Sequence, residues 1–140
     1  MVELRADAEE IDFQAALAFW GGVAPYCDFP AKTISWRLVP AYQSGRLLTA
    51  VRGSEFIGFA TWGWMTSAEF SSREYCGREV FSRSSGECLV IVDCIIVGGS
   101  DNVRAVSRLV RGFLAKAYPD QRRVCGHRGS RDGWFFNGRG

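Results

Sequence analysis

Residues 88–102 read CLVIVDCIIVGGSDN, and this stretch decides the fold. An apolar, β-branched run from Cys88 to Val97 predicts a strand covered on both faces. Gly98–Gly99–Ser100–Asp101 then breaks the run. Beyond it, Val103, Val106, Leu109, Val110, Phe113, Leu114 and Ala117 recur at helical spacing, which predicts a helix over 102–117. Ser100 or Asp101 is placed to cap its start, and Pro119 to stop its end. Strand, glycine turn and long helix in this order predict an α/β (α+β) chain with a central mixed sheet flanked by helices.

Working outward, residues 46–52 (RLLTAVR) and 55–64 (EFIGFATWGW) have strand composition. Gly53–Ser54 between them is a short hairpin signal. Residues 8–20 set Ile11, Ala15, Ala18 and Phe19 on one side of a helix that ends at Gly21–Gly22. APYCDFP, residues 24–30, is a turn between two prolines. Residues 31–44 carry Ile34, Leu38, Ala41 and Tyr42 at helical spacing, with Pro40 predicting a break or kink. A short helix and loop are expected over 67–80. Two last strands are expected at 121–127 and 133–137, around an RGSRDG turn. The whole is expected to be one domain, residues 1–140: helix, helix, hairpin, helix, strand, glycine turn, helix, strand.

Composition narrows the function classes. The chain has 140 residues, 47% hydrophobic and 23% charged, which suits one packed core. No apolar run approaches the roughly 20 residues of a membrane span. The start, MVELRADAEE, has no basic segment followed by an apolar one, so a cytoplasmic protein is expected. Five cysteines without a C-x-x-C pair and a single histidine argue against zinc and against a disulfide framework. A net charge of +2 is small for a nucleic-acid binder. It hides an asymmetry: residues 1–12 hold five acids and one base, whereas residues 103–140 hold nine Lys and Arg against two Asp.

Asp93 is the leading candidate for chemistry. A carboxylate in the middle of an apolar strand loses hydration, and its pKa rises unless a donor or cation reaches it. The alternative is an Asp that caps a loop or pairs with an arginine. Gly98, Gly99 and Ser100 form a turn where backbone N–H groups at a helix start can hold an anion or a phosphopantetheine arm. The alternative is a plain connection. Arg104, Arg108 and Arg111 form a basic stripe that an acidic protein could dock on, or a solvated face. Cys27, in its proline-bounded turn, is a candidate nucleophile or base; the alternative is a buried apolar thiol. His127 lies in a basic loop and is read as incidental. Trp62 and Trp64 are read as core.

Glycine turn and helix after a central strand resemble the acyl-donor site of the GNAT-type N-acyltransferases. Several segments together resemble a narrower family, the RTX-toxin-activating lysine acyltransferases, whose prototype activates haemolysin. The turn Ala24–Pro30 is similar to that family's S-P-x-H-x-x-[WY]-P, and Val39-Pro40-Ala41 to its L-P-A. GFATWG at 58–63 resembles its A-x-x-S-W-A, and VIVDCII at 90–96 its W-F-I-D-W-I-A. Ala117-Tyr118-Pro119-Asp120 resembles its F-P-D helix end. The resemblance spans residues 13 to about 128.

It implies a GNAT-like fold with a mixed sheet flanked by helices. It implies transfer of a fatty acyl group from acyl carrier protein to internal lysines of a protoxin in the cytoplasm. No permanently bound cofactor is implied; acyl-loaded carrier protein is the co-substrate, and the partners are that carrier and the protoxin. A homodimer is compatible with the sequence. Asp93 falls on the family's catalytic aspartate. The family's histidine falls on Cys27, or on Tyr26 with a shifted deletion, so the histidine is absent. Segment 65–87 also departs from the family. An acetyl-CoA-dependent GNAT enzyme and a non-catalytic binder of the carrier or toxin stay open beside the lead reading.

Overall fold

The hairpin signalled by Gly53–Ser54 lies at the heart of the sheet. In the computed structural model, β2 (Leu47–Arg52) and β3 (Glu55–Met65) pair antiparallel, with Arg52 opposite Glu55 across the turn. Gly53 takes a positive φ of 63°, which a tight two-residue connection needs and glycine adopts without strain. The structure describes residues 1–21, 31–72, 78–121, 123–128 and 131–136; of 31–36, 123, 127, 128 and 131–136 it describes the backbone alone.

β1 (Val2–Arg5), β4 (Cys88–Ile96), β5 (Arg123–Arg128) and β6 (Arg131–Phe136) complete a six-stranded sheet in the order β1-β2-β3-β4-β5-β6. Neighbours are antiparallel except β4 and β5, which run parallel. The parallel pair needs a crossover, and α5 (Ser100–Ala117) supplies it. The class is α+β, as expected from the order of elements.

Helices cover both faces. On one, α5 buries Val106, Val110 and Leu114 against Leu48, Ala50, Ala60, Trp62, Trp64, Leu89 and Val124. On the other, α1 (Glu10–Gly21) and α2 (Ala31–Gln43) bury Ala16, Trp20 and Leu38 against Leu47, Phe59 and Ile95. Two short helices, α3 (Ser67–Ser72) and α4 (Arg78–Ser82), add Phe70 and Val80 to Met65, Cys88, Val90 and Cys125. Gly63 in β3 lets α4 approach, since a Cβ there would collide with the Val80 carbonyl oxygen.

Several expectations need correction. β1 was not anticipated, although V-E-L-R alternates apolar and polar; Val2 and Leu4 pack on the core while Glu3 and Arg5 are exposed. In α1 the buried row is Asp12, Ala16 and Trp20, and Ile11 is 73% exposed. Asp12 is drawn inward by Arg5 of β1, whose Nη1 donates to Oδ1 at 3.1 Å, and by the Glu9 N–H at 3.0 Å. That turns the helix about one residue from the expected face. In α5 the buried row is Asn102, Val106, Val110 and Leu114, leaving Val103 and Leu109 exposed. Gly99, not Ser100 or Asp101, is the cap position, and no side chain caps it. Pro40 lies inside α2 rather than ending it. Pro40 is buried, and at the end of the helix the Ser44 N–H donates to the Pro40 oxygen at 3.1 Å. Trp62 and Trp64 are core, as expected, edge-on to Phe113 and Tyr118.

Candidate functional site

The site begins with an irregularity in β4. Thr61 of β3 is opposite Asp93 and Trp62 is opposite Ile91, so Val92 is an extra residue on β4. Such a bulge bends its strand and re-aims side chains. On its other edge β4 pairs with β5 only through Leu89–Val124, Val90–Cys125 and Ile91–Gly126. β5 continues to Arg128 in pairing with β6. The two parallel strands therefore part just where β4 bulges.

Burial follows this split in part. Cys88, Leu89 and Val90 are buried, Ile91 to Asp93 are half-buried and Cys94 is exposed, while Ile95 is buried again under α1 and α2. The expectation of a strand covered on both faces holds only for its first third. Among the described residues the pairing of β4 with β5 ends at Ile91.

Asp93 stands at the parting point, on the face of α1 and α2. Its side chain is 12% exposed. The Thr61 Oγ1 accepts the Asp93 N–H at 3.1 Å, which fixes the backbone at the bulge. Arg37 of α2 meets the carboxylate at two points: Nη2 donates to Oδ1 at 2.8 Å and Nε to Oδ2 at 3.2 Å. The guanidinium also lies 5.9 Å from the centre of the Trp20 ring of α1. Loss of hydration pushes the Asp93 carboxyl above its ordinary 3.8; the charge and hydrogen bonds of Arg37 oppose that rise without cancelling it. The arginine-paired alternative is thus realised, at a position beside the strand split.

Arg37 was missed. Its signal was present: it falls between Ile34 and Ala41, inside the apolar spacing of α2, where a charge needs a partner. Pairing across 56 positions in sequence gave no local cue.

Five residues past Asp93 the chain turns at Gly98 and Gly99, with φ of 93° and 91°. A Cβ on Gly98 would strike the Asn102 amide nitrogen. Asn102 braces the turn, donating to the Val97 oxygen at 2.8 Å and accepting from Arg52 Nη2 at 2.6 Å. Nothing lies within 4 Å of the Cβ position of Gly99, so that side of the turn is open. Ser100 is the exposed first residue of α5. Arg104 and Arg108 are exposed on α5; Arg111 is half-buried, with Nε donating to the Ser107 oxygen at 3.4 Å.

Cys27 lies outside the described residues, as does the side chain of His127, whose backbone is in β5. Asp93 and the glycine turn therefore share one strand end, and the arginine stripe runs along the helix that follows. Among the described residues no group of His, Cys, Asp and Glu could hold a metal ion. No helix among them is long and apolar enough to cross a membrane.

The six-stranded sheet with its flanking helices has counterparts in solved structures. An acetyltransferase of the GNAT family from Bacillus cereus ATCC 10987 aligns with a TM-score of 0.57 over 93% of this chain and 73% of its own, at 8% identity. The loading GNATL domain of CurA from Lyngbya majuscula aligns with a TM-score of 0.58 over 90% of this chain and 64% of its own, at 14% identity. The chain has a GNAT fold. No protein-family model matches the sequence, and no curated protein matches it. At such identities the likeness concerns the fold, with activity to be argued from the site.

Proposed function

We propose that this chain is an acyltransferase that moves a fatty acyl group from acyl carrier protein to a lysine of a protein acceptor. The carrying observation is the parting of β4 from β5 at Ile91, directly beside Asp93. Backbone groups of β4 beyond that point have no β5 strand to pair with. Buried backbone N–H and C=O groups require partners. An extended arm bearing amides, such as phosphopantetheine, can supply them and lay its thioester along the split. The open side of Gly99 suits the phosphate end of such an arm.

In the reaction a lysine ammonium gives a proton to Asp93. The neutral amine attacks the thioester carbonyl carbon, the C–N bond forms, and the C–S bond breaks. The departing thiolate takes a proton from Asp93, and the Asp93 carboxylate so freed accepts the second proton from the acylated nitrogen and passes it to solvent, leaving an amide, a free thiol and one released proton. Loss of hydration raises the Asp93 carboxyl above its ordinary 3.8, which makes it a stronger proton acceptor for this exchange. Backbone N–H groups near the bulge or the glycine turn would hold the oxyanion. Arg104 and Arg108 offer an exposed basic face for an acidic carrier, with Arg111 beside them. A lysine of an RTX-type protoxin is the acceptor that the family resemblance suggests. In that resemblance the family's histidine falls on Cys27 or Tyr26, so the proton transfer is assigned here to Asp93.

The test is mass spectrometry of a lysine-bearing acceptor incubated with carrier protein loaded with a fatty acid. A lysine mass increase equal to the acyl group is expected. No increase, with a control enzyme active on the same mixture, would sink the reading. A second reading, acetyl transfer from acetyl-CoA, draws on the Bacillus cereus neighbour's printed function. Acetyl-CoA in a parallel tube separates the two donors, and binding of the carrier without turnover would indicate a non-catalytic partner protein.

A further inference from the structure

Asp93 reaches the strand split with its orientation already set by a neighbour. We propose that Arg37 is the positioning residue of the site: its guanidinium fixes the plane of the Asp93 carboxylate and keeps it ionised where β4 leaves β5. This inference rests on the acyl-transfer reading above and names a residue that the family resemblance does not supply.

Each carboxylate oxygen receives one N–H of the guanidinium, at 2.8 and 3.2 Å. A proton on either oxygen would point at a group that is already a donor, so pairing at two points selects the charged carboxylate. The fork is itself held. Arg37 adjoins Leu38, fully buried in the layer that α1 and α2 form on the sheet. Its planar head faces the Trp20 ring from the next helix. From below, Thr61 holds the Asp93 backbone. Two of the four lone-pair positions of the carboxylate are then occupied, leaving the rest for an incoming ammonium.

Among the described residues, Arg37 is the charged group set against Asp93. Thr61 and Phe59 of β3, Trp20 of α1, Leu47 of β2 and Ile95 of β4 on that face are uncharged, and the buried Asp12 of α1 is held by Arg5. A lysine in place of Arg37 would keep the charge and lose the two-point geometry, and a methionine would lose both. The two substitutions therefore separate the two halves of the claim.

The experiment uses the full chain with Arg37→Met and Arg37→Lys, each checked for its fold by circular dichroism. The first readout, carbon-13 NMR titration of the Asp93 carboxyl assigned with Asp93→Asn, needs no substrate. Its midpoint should rise by about one pH unit or more in Arg37→Met and by less in Arg37→Lys. The second readout is the pH profile of amide formation. Its acidic limb should move upward with the carboxyl midpoint in Arg37→Met. The plateau kcat of Arg37→Lys should fall roughly tenfold or more while KM for the acyl carrier stays within about twofold.

An unchanged midpoint in a folded variant overturns the proposal. So does a midpoint that moves while the pH profile of activity stays put, since Arg37 would then be a structural ion pair only. If Arg37→Met does not fold, Arg37→Lys decides by the same readings. If the wild type transfers no acyl group but the midpoint moves as stated, the acyl-transfer reading fails and the hold of Arg37 on the carboxylate stands.

Discussion

The two halves of β4 have nearly the same chemistry and opposite fates. Cys88 to Ile91 pair with β3 on one edge, and Leu89 to Ile91 pair with β5 on the other. Val92 is the bulge, and Asp93 to Ile96 keep the β3 edge alone. Both halves are rich in valine and isoleucine, so composition does not separate them. The bulge at Val92 does, together with the turn at Gly98–Gly99 that sends the chain into α5. The first half is buried or half-buried throughout, whereas in the second Ile95 is buried, Asp93 and Ile96 are half-buried and Cys94 is exposed. A run of β-branched residues therefore states that a strand exists, and says little about how far its second edge is paired.

The sharpest way to break this comparison is to substitute one residue in each half. Asp93→Asn keeps shape and removes the ionisable group, so acyl transfer should fall by roughly 10²–10⁴-fold. Retained activity would remove Asp93 from the mechanism. In the first half, Leu89→Ala opens a hole at a fully buried position and should cost about 3 kcal/mol of unfolding free energy. Ile96→Ala, at a half-buried position in the open half, should cost about 1 kcal/mol. Urea unfolding of the pair tests the ranking, and equal losses would mean that the two halves are equally packed.

Acidity gives a third comparison. The Asp93 carboxyl titrates above its ordinary 3.8 in the folded chain, so the folded state holds this proton more tightly than the unfolded one. Its contribution to stability is then fully present below pH 3.8 and is lost as pH rises through the folded value. Each unit of upward shift costs the wild type about 1.4 kcal/mol relative to a neutral side chain at high pH. Asp93→Asn should therefore gain stability relative to the wild type as pH rises above 3.8 through the folded value, in urea unfolding at several pH values. Parallel curves would show that Arg37 offsets the burial completely.

Much of the fold was legible because local pattern and tertiary fate agree. Alternation and Gly53–Ser54 predict the central hairpin, and the run at 88–97 followed by Gly98–Gly99 predicts β4 and its crossover helix. The misplaced helix faces share one cause. Asp12 and Asn102 are polar residues near helix starts, and periodicity puts them outside. Each is nevertheless 7% exposed, held by an arginine that arrives from a distant strand, Arg5 for Asp12 and Arg52 for Asn102. A partner that satisfies a polar group removes the cost of burying it, and no local pattern reports such a partner. Asp93 was found for the complementary reason, being a charge in an apolar run. Its partner Arg37 sent the same signal more weakly, from a helix whose apolar spacing a proline interrupts.

The smallest expected effect falls on Cys94, one residue past Asp93 and on the opposite side of the strand. Composition would class it with Cys88 and Cys125, which are 6% and 2% exposed, but it is exposed. Cys94→Ser should change the unfolding free energy by less than about 0.5 kcal/mol, as surface substitutions do. The same exposure makes its thiol a reporter for the opening. With a thiol reagent and peptide mapping, Cys94 should be modified in the native chain well before Cys88 and Cys125. If an acyl carrier lays its arm along the unpaired edge of β4, the loaded carrier should slow that modification, while the unloaded protein part alone slows it less. Labelling of Cys94 at the rate of Cys88 would mean that β4 is covered along its whole length, and the division of the strand into two halves would fail.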